Sequence, residues 1–355
     1  MKEQLSQILV HYQLDSRVKE CTSYGQGHIN KTFLVTTMSG RRYILQKINT
    51  KVFKNVEQLM ANIDAVTTYL LERVDDPRQV LQLAHTDQNR SHLVHTDGSV
   101  WRMFHYVENS ICLQAPETPK DFYESAIAFG RFQQMLKDFP AHTLHETIPN
   151  FHNTVDRYRI FRETLKKDPK GRAKLVKDEI DFALAREEEA GTLVKLLAEG
   201  ELPLRVTHND TKLNNVMLDA ATRTALCVID LDTVMPGLSL YDFGDSIRFG
   251  AATAAEDEKD LSKVTMSLEM FETYTKGFLT ACPGLTEMER KMLPMGAKLM
   301  TLECGVRFLT DYLDGDNYFA THYPGQNLDR CRTQFKLVSD MESKWQKMQD
   351  IVNSL

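Results

Sequence analysis

Arg205-Val-Thr-His208-Asn-Asp210-Thr-Lys212-Leu-Asn-Asn215-Val-Met-Leu-Asp219 is followed, after a short turn, by Ala225-Leu-Cys-Val-Ile-Asp230-Leu-Asp232-Thr233. Residues 204–206, 216–218 and 225–229 are short apolar runs bounded by polar clusters, the pattern of buried strands. The stretch therefore reads as strand, polar loop, strand, turn, strand. Carboxylates and amides are carried to neighbouring strand ends.

The polar loop holds His-x-Asp-x-Lys-x-x-Asn, the spacing of the catalytic loop in the protein-kinase superfamily. Phosphoryl transfer requires such a set. One carboxylate orients and deprotonates the attacking hydroxyl, an Asn and a second Asp hold Mg²⁺ on the phosphates, and a cation offsets charge on the transferred group. The spacing assigns these roles to Asp210, Asn215 with Asp230, and Lys212. A literal Asp242-Phe-Gly244 lies 32 residues after Asp210, beyond a Pro-Gly turn. Asp230 ends a strand, where a metal-binding Asp belongs. Asp242 is expected instead at a helix start, accepting backbone N–H bonds and bracing the catalytic loop.

Working outward, the 355 residues favour two lobes, residues 1–107 and 108–355. The chain has 43 basic and 49 acidic residues, a balance that argues against general nucleic-acid binding. The six cysteines (21, 112, 227, 282, 304 and 331) form no Cys-x-x-Cys pair and read as reduced thiols, mostly buried, of a cytoplasmic protein. No apolar run reaches membrane-spanning length, and the N-terminal segment lacks a signal-peptide core.

Residues 3–13 have helical spacing. Next come strand, Gly-containing turn and strand, with Gly25 and Gly27 able to bring backbone N–H groups to the phosphates of ATP. The third strand ends at Gln46-Lys47, where the kinase pattern has a single phosphate-pairing lysine. Neighbouring strand residues face opposite sides, and the sequence leaves open which of the two faces in. Residues 55–73 form a helix whose Glu57 is either a lysine partner or a solvated first-turn carboxylate. A hairpin over 92–95 and 100–108 leads to a hinge at 106–109, where Tyr106 and Glu108 would border adenine. Helices are expected from Pro119 to 136, over 171–200, from 241, over 267–280 and 286–313, and from about Asp329. Met235-Pro-Gly237 reads as a turn and 256–260 as a solvated acidic segment. His142, His145 and His152 read as surface or capping residues. Arg307 either pairs with Asp311 at i,i+4 or enters the substrate cleft.

With these residues in view, the chain resembles the aminoglycoside-phosphotransferase-like branch of the kinase superfamily, and within it kinases of N-acetylhexosamines. Tyr24-Gly-Gln-Gly-His-Ile-Asn30, Tyr43-Ile-Leu-Gln46, the 204–215 and 229–233 strings, Tyr241-Asp-Phe-Gly-Asp-Ser-Ile-Arg-Phe-Gly250 and Glu303-Cys-Gly-Val-Arg-Phe-Leu309 carry the likeness, which runs almost end to end. It implies an α+β, bilobal protein-kinase-like fold with a small antiparallel β-sheet lobe and a larger, mainly helical lobe. It also implies ATP- and Mg²⁺-dependent phosphorylation of the anomeric hydroxyl of GlcNAc or GalNAc by a cytoplasmic monomer, with no nucleic-acid or membrane partner. Asp210 would be the base, and His28, Thr233, Arg307 and Tyr318 would lie near the sugar. Another small hydroxyl acceptor (homoserine, choline or aminoglycoside type) is the alternative, and a nucleotide-binding regulator a more distant one.

Overall fold

Side-chain alternation in strand β5 (Val100–His105) shows how the first lobe is layered. Trp101 and Met103 pack on one side with Phe33, Val35, Tyr43, Leu45 and helix α1 (Lys2–Leu9). Val100 and Phe104 pack on the other with helix α2 (Val56–Leu71). Strands β1 (Val18–Ser23), β2 (Lys31–Thr37), β3 (Arg42–Lys47) and β4 (Leu93–Val94) complete an antiparallel sheet in the order β1-β2-β3-β5-β4. This computed structural model describes residues 2–25 and 29–355.

The larger lobe carries two small sheets among helices. Strand β6 (Ser110–Cys112) pairs with β8 (Val216–Asp219), which pairs with β9 (Ala225–Val228). Strand β7 (Arg205–Thr207) pairs with β10 (Met235–Gly237), so the expected turn at 235–237 is a strand. Pro236 is tolerated there because the two-stranded ribbon leaves its position at an edge. The architecture is α+β, an antiparallel sheet lobe beside a larger, mainly helical lobe.

The helices are α3 (Pro119–Met135), α4 (Thr154–Lys167), α5 (Lys177–Leu184), α6 (Glu187–Ala190), α7 (Thr192–Ala198), α8 (Ser239–Gly250), α9 (Leu268–Ala281), α10 (Glu287–Lys291), α11 (Leu293–Asp314), α12 (Gln326–Ser343) and α13 (Trp345–Ser354). Three expected helices are broken. Residues 171–200 split into α5, α6 and α7. The break at Arg186 lets its guanidinium hold Glu342 at 2.9 and 2.7 Å, while Glu189 takes Lys298 at 2.6 Å. The 286–313 helix breaks at Met292, with Pro294 in the first turn of α11, where a missing N–H costs nothing. The last helix starts at Gln326, earlier than expected, and stops at Lys344. Its ammonium caps Asp340 and the Met266 carbonyl at 2.6 and 2.7 Å.

Helix α8 lies unusually close to α11. A Cβ on Gly244 would overlap the Gly296 carbonyl, and one on Gly296 would sit 2.8 Å from the Leu240 carbonyl. Glycine at both positions lets the backbones touch. That contact fixes α8, whose Asp242 and Asp245 accept backbone N–H groups of the loop after β7.

The base of β7 is anchored by a buried ion pair. Arg205 donates from Nη2 to Glu289 Oε2 at 2.6 Å, Ser239 donates to Oε1 at 2.7 Å, and the Thr286 N–H donates to Oε2 at 2.7 Å. Burial works to raise the Glu289 pKa, but Arg205 and the other donors outweigh it and hold it below the usual value. A lowered folded-state pKa means this stabilisation is complete above the ordinary glutamate range and is lost as pH falls through the lowered value. Glu289→Ala leaves the buried Arg205 charge with only the Gly284 carbonyl to accept from it and is expected to cost about 3–5 kcal/mol. Urea unfolding would show this as a lower midpoint at unchanged slope. A loss under about 1 kcal/mol, the range of a solvated pair, would show that the pair does not anchor the strand.

None of the described helices is long and apolar enough to cross a membrane. All six cysteines are free, with Cys227, Cys282 and Cys331 buried, Cys21 and Cys304 half-buried and Cys112 exposed.

Candidate active site

The β8–β9 ladder brings Asn215 and Asp230 together. Val216 pairs with Val228, and the Ile229 N–H donates to the Asn215 carbonyl at 2.9 Å. Asn215 Nδ2 donates to Asp210 Oδ2 at 3.0 Å and to the Asp210 carbonyl at 2.9 Å, which leaves Oδ1 as the atom free to meet a metal. Lys212 Nζ lies 2.8 Å from Asp210 Oδ1. Burial opposes the Lys212 charge, but the carboxylates of Asp210 and Asp245 outweigh it and raise its pKa. The sequence-assigned Asp210, Lys212, Asn215 and Asp230 thus meet at one place.

Asp230 differs from its neighbours. It is solvent-exposed, yet protein crowds it on most sides, and no hydrogen bond or ion pair holds its carboxylate among the described residues. That crowding, with the charges of Asp232 and Asp210, pushes its pKa up to about 6. Its backbone is left-handed, with φ 59° and ψ 62°, a conformation Asp tolerates better than most residues and which aims the side chain out of the strand line. An unpaired carboxylate beside the side-chain oxygen of Asn215 fits a hard, oxygen-seeking cation such as Mg²⁺.

The loop between β7 and β8 is held from below by α8. Fully buried Asp242 accepts the N–H groups of His208 (3.0 Å) and Asn209 (2.8 Å) and the Gln133 amide (2.6 Å). Asp242 therefore braces the loop, as expected. Asp245 accepts the Thr211 N–H at 3.1 Å and is paired with Arg248 at 2.8 Å. Arg248 in turn binds Glu256, so the acidic 256–260 segment is tethered at its start rather than solvated throughout. His208 Nε2 donates to the Ile229 carbonyl at 2.9 Å while Nδ1 faces the Asp210 N–H at 3.3 Å. This imidazole staples the catalytic loop to the end of β9.

On the sheet side, Gln46 faces inward and Lys47 outward, with Nζ 5.6 Å from the Trp101 ring centroid. Both ends of the Gln46 amide are engaged, by Arg102 at 2.9 Å and Thr32 at 3.2 Å. Glu57 is exposed and meets His92 at 3.2 Å, not a strand lysine. Gly25 has φ +72°, a backbone that glycine adopts without strain. Gly27 and His28 lie outside the described residues. In the hinge, the Tyr106 N–H is taken up by the Arg42 carbonyl at 3.2 Å. The Glu108 carboxylate binds the Arg42 guanidinium, which also stacks 4.0 Å from the Tyr106 ring. Both hinge side chains are thus engaged with β3.

Thr233 Oγ1 donates to the His208 carbonyl at 2.6 Å, placing it against the catalytic loop. Arg307 does not pair with Asp311. Asp311 instead accepts the N–H groups of Asn317, Tyr318 and Phe319 and shapes that loop. Arg307 lies 3.7 Å from Glu303 and 5.2, 5.9 and 5.5 Å from the ring centroids of Phe151, Tyr318 and Phe319. Tyr318 is 68% exposed, so its ring is open to a ligand. His142 and His145 are exposed as expected, but His152 is buried. It bridges Glu303 at 2.9 Å and the Asn209 carbonyl at 3.4 Å, linking Arg307 through Glu303 to the catalytic loop. One oxygen of Glu303 has no hydrogen-bond partner.

A profile of the phosphotransferase enzyme family matches residues 20–263, the span holding Gln46, Asp210, Asn215 and Asp230. The chain belongs to that family. Solved structures share the fold at low identity. An aminoglycoside phosphotransferase from Alicyclobacillus acidocaldarius aligns with a TM-score of 0.66 at 14% identity, over 99% of this chain and 96% of its own. A microcompartment-associated aminopropanol kinase gives 0.60 at 16%, over 98% and 99%. An amicoumacin kinase in complex with AMP-PNP, Ca²⁺ and Ami gives 0.62 at 14%, over 94% and 92%.

Around this phosphotransferase's loop, the spacing of the motif did not reveal Arg102, Asp232, His152 or Glu303. Arg102 did leave a signal. It is the one charged residue in the run Val100-Trp-Arg-Met-Phe, on the same face as Val100 and Phe104.

Proposed function

We propose that the enzyme is an N-acetylhexosamine 1-kinase, transferring the γ-phosphoryl of ATP to the anomeric hydroxyl of GlcNAc or GalNAc. The observation that carries the reading is the grouping of Asp210, Asn215 and Asp230, with Lys212 against Asp210. Mg²⁺, held by Asn215 Oδ1 and Asp230, would offset charge on the phosphates. Asp210 orients the acceptor hydroxyl and takes its proton. A hemiacetal hydroxyl is more acidic than an ordinary alcohol, so an ionised carboxylate suffices. Lys212 steadies the Asp210 carboxylate, and α8 keeps the loop from shifting. Positioning of this kind supplies much of the catalysis in phosphoryl transfer.

The acceptor class is argued from charge. Near the Arg307 cluster sit two guanidiniums, Arg157 and Arg307, and two carboxylates, Glu303 and Asp156. Burial, then the neighbouring Arg307, lowers the Arg157 pKa. Such a set offers a polycationic aminoglycoside no excess of negative charge to bind it. A neutral sugar needs none, and its apolar faces match the rings of Phe151, Tyr318 and Phe319. His28, Thr233, Arg307 and Tyr318 are proposed as sugar contacts, and Gly25, Gly27, Gln46, Tyr106 and Glu108 as the ATP side.

An acceptor panel tests this: GlcNAc, GalNAc, glucose, homoserine, choline and kanamycin, with the product's phosphorus position read by NMR. A 1-phosphate of an N-acetylhexosamine is expected, and phosphorylation of choline or kanamycin alone would overturn the acceptor assignment. Arg307→Ala is expected to lower kcat/KM for the sugar by about tenfold, chiefly through KM, while KM for ATP stays put. An unchanged sugar KM would remove Arg307 from the acceptor site.

A further inference from the structure

The buried cation on the inner face of the sheet is an arginine. Arg102 lies directly across from Gln46 in the β3–β5 ladder and is 2% exposed. Its Nε donates to Gln46 Oε1 at 2.9 Å, and its Nη1 is ion-paired with Asp232 Oδ1. The second Asp232 oxygen accepts from Asn30 Nδ2 at 2.7 Å, and Asn30 Oδ1 takes the Asn49 N–H at 3.0 Å. Asp232 stands two residues beyond Asp230, in the single 3₁₀ turn Leu231–Thr233. Two side chains from the sheet lobe, Arg102 and Asn30, therefore grip one carboxylate beside the candidate metal ligand.

We infer that Arg102 is a positioning residue for phosphoryl transfer: by pairing with Asp232 it fixes the 231–233 turn, and so the direction of Asp230, and ties the sheet lobe to that turn. A planar guanidinium can hold Gln46 and Asp232 with different N–H groups at once, which an ammonium on a flexible stem does less well. Buried ion pairs add little net stability over apolar packing of equal volume, so what this pair contributes is orientation. Gln46 then serves to aim Arg102, which explains why the inward position of β3 needs no lysine.

The inference rests on Asp230 being a metal ligand, and it is tested without an acceptor sugar. The full chain would be titrated with AMP-PNP at graded Mg²⁺ by calorimetry, for the parent, Arg102→Lys, the double variant Arg102→Met with Asp232→Asn, and Asp230→Asn. The double variant leaves no unpaired buried charge; should it fail to fold, Arg102→Lys decides. Asp230→Asn is expected to abolish the Mg²⁺ dependence of nucleotide binding. The two Arg102 variants are expected to need about tenfold more Mg²⁺ for half-maximal binding, the usual scale for losing a partner that orients a metal ligand. A merely structural pair would shift the unfolding midpoint and leave the Mg²⁺ requirement alone. The parental Mg²⁺ requirement in the Arg102 variants, with that of Asp230→Asn lost, overturns the role of Arg102. The parental requirement in Asp230→Asn overturns the metal assignment and this inference with it.

Discussion

Asp210→Asn is expected to fold normally, bind nucleotide and turn over about 10²–10⁴-fold more slowly than the parent, the usual contribution of a general base. The substitution keeps the shape of the side chain and removes its charge, its capacity to take a proton and one of the two acceptor oxygens that face Lys212 and Asn215. Asp210 is 31% exposed on its side chain, so water replaces what Lys212 loses and the cost in stability is small. The backbone of the loop is held independently of residue 210, by Asp242 under His208 and Asn209 and by Asp245 under Thr211. Coupled measurement of ADP release with GlcNAc, beside circular dichroism and nucleotide titration, separates the outcomes. Near-parental turnover in a folded variant would remove Asp210 from the role of base. Lost nucleotide binding would mean that the residue supports the loop rather than the chemistry.

Much of this arrangement was legible in the chain because local rules governed it. Residues 204–233 alternate short apolar runs with polar loops, and antiparallel pairing of 216–219 with 225–228 brings Asn215 and Asp230 together, although 205–207 pairs elsewhere. Contacts set by tertiary packing were less legible. His152 looked like one of three surface histidines, but the chain before α4 buries it between Glu303 and the Asn209 carbonyl. Arg307 and Asp311 have ideal spacing for an ion pair, yet backbone N–H groups of the 317–319 loop claim the aspartate. The strand at 235–237 was hidden because its partner, 205–207, lies almost thirty residues away, and Pro-Gly is ordinarily a turn signal. Gln46 showed where a lysine was missing, but only the β3–β5 register shows Arg102 opposite it.

Asp230→Asn and Asp242→Asn are expected to fail in opposite ways, and the contrast decides which aspartate serves the metal. Asp242 is fully buried, with one oxygen accepting the Asn209 N–H and the other accepting the His208 N–H and the Gln133 amide. An asparagine there turns an NH₂ group toward at least one of these donors in either orientation. Leaving a buried donor unsatisfied costs about 1–3 kcal/mol, visible as a lower urea midpoint. Turnover would fall as a consequence of a looser loop, and lowering the temperature should recover part of it. Asp230 has no such partners among the described residues, and like charges on Asp232 and Asp210 help push its pKa up to about 6. A raised folded-state pKa means that ionisation of Asp230 opposes folding progressively as pH rises from the ordinary aspartate range and in full above about 6, so at pH 7.5 the neutral amide should leave stability unchanged or raise it. Turnover should nevertheless fall by about 10²–10³-fold, the scale for removing one electrostatic stabiliser of a transition state. Cooling would not restore it, because no loop has been loosened. Were Asp242→Asn stable and inactive while Asp230→Asn was unstable and active, the Asp-Phe-Gly at 242–244 would be the metal site after all. The hydrogen bonds say otherwise: a carboxylate already filled by three donors inside the protein has no lone pair directed at the cleft, whereas one left unpaired at the end of a strand does.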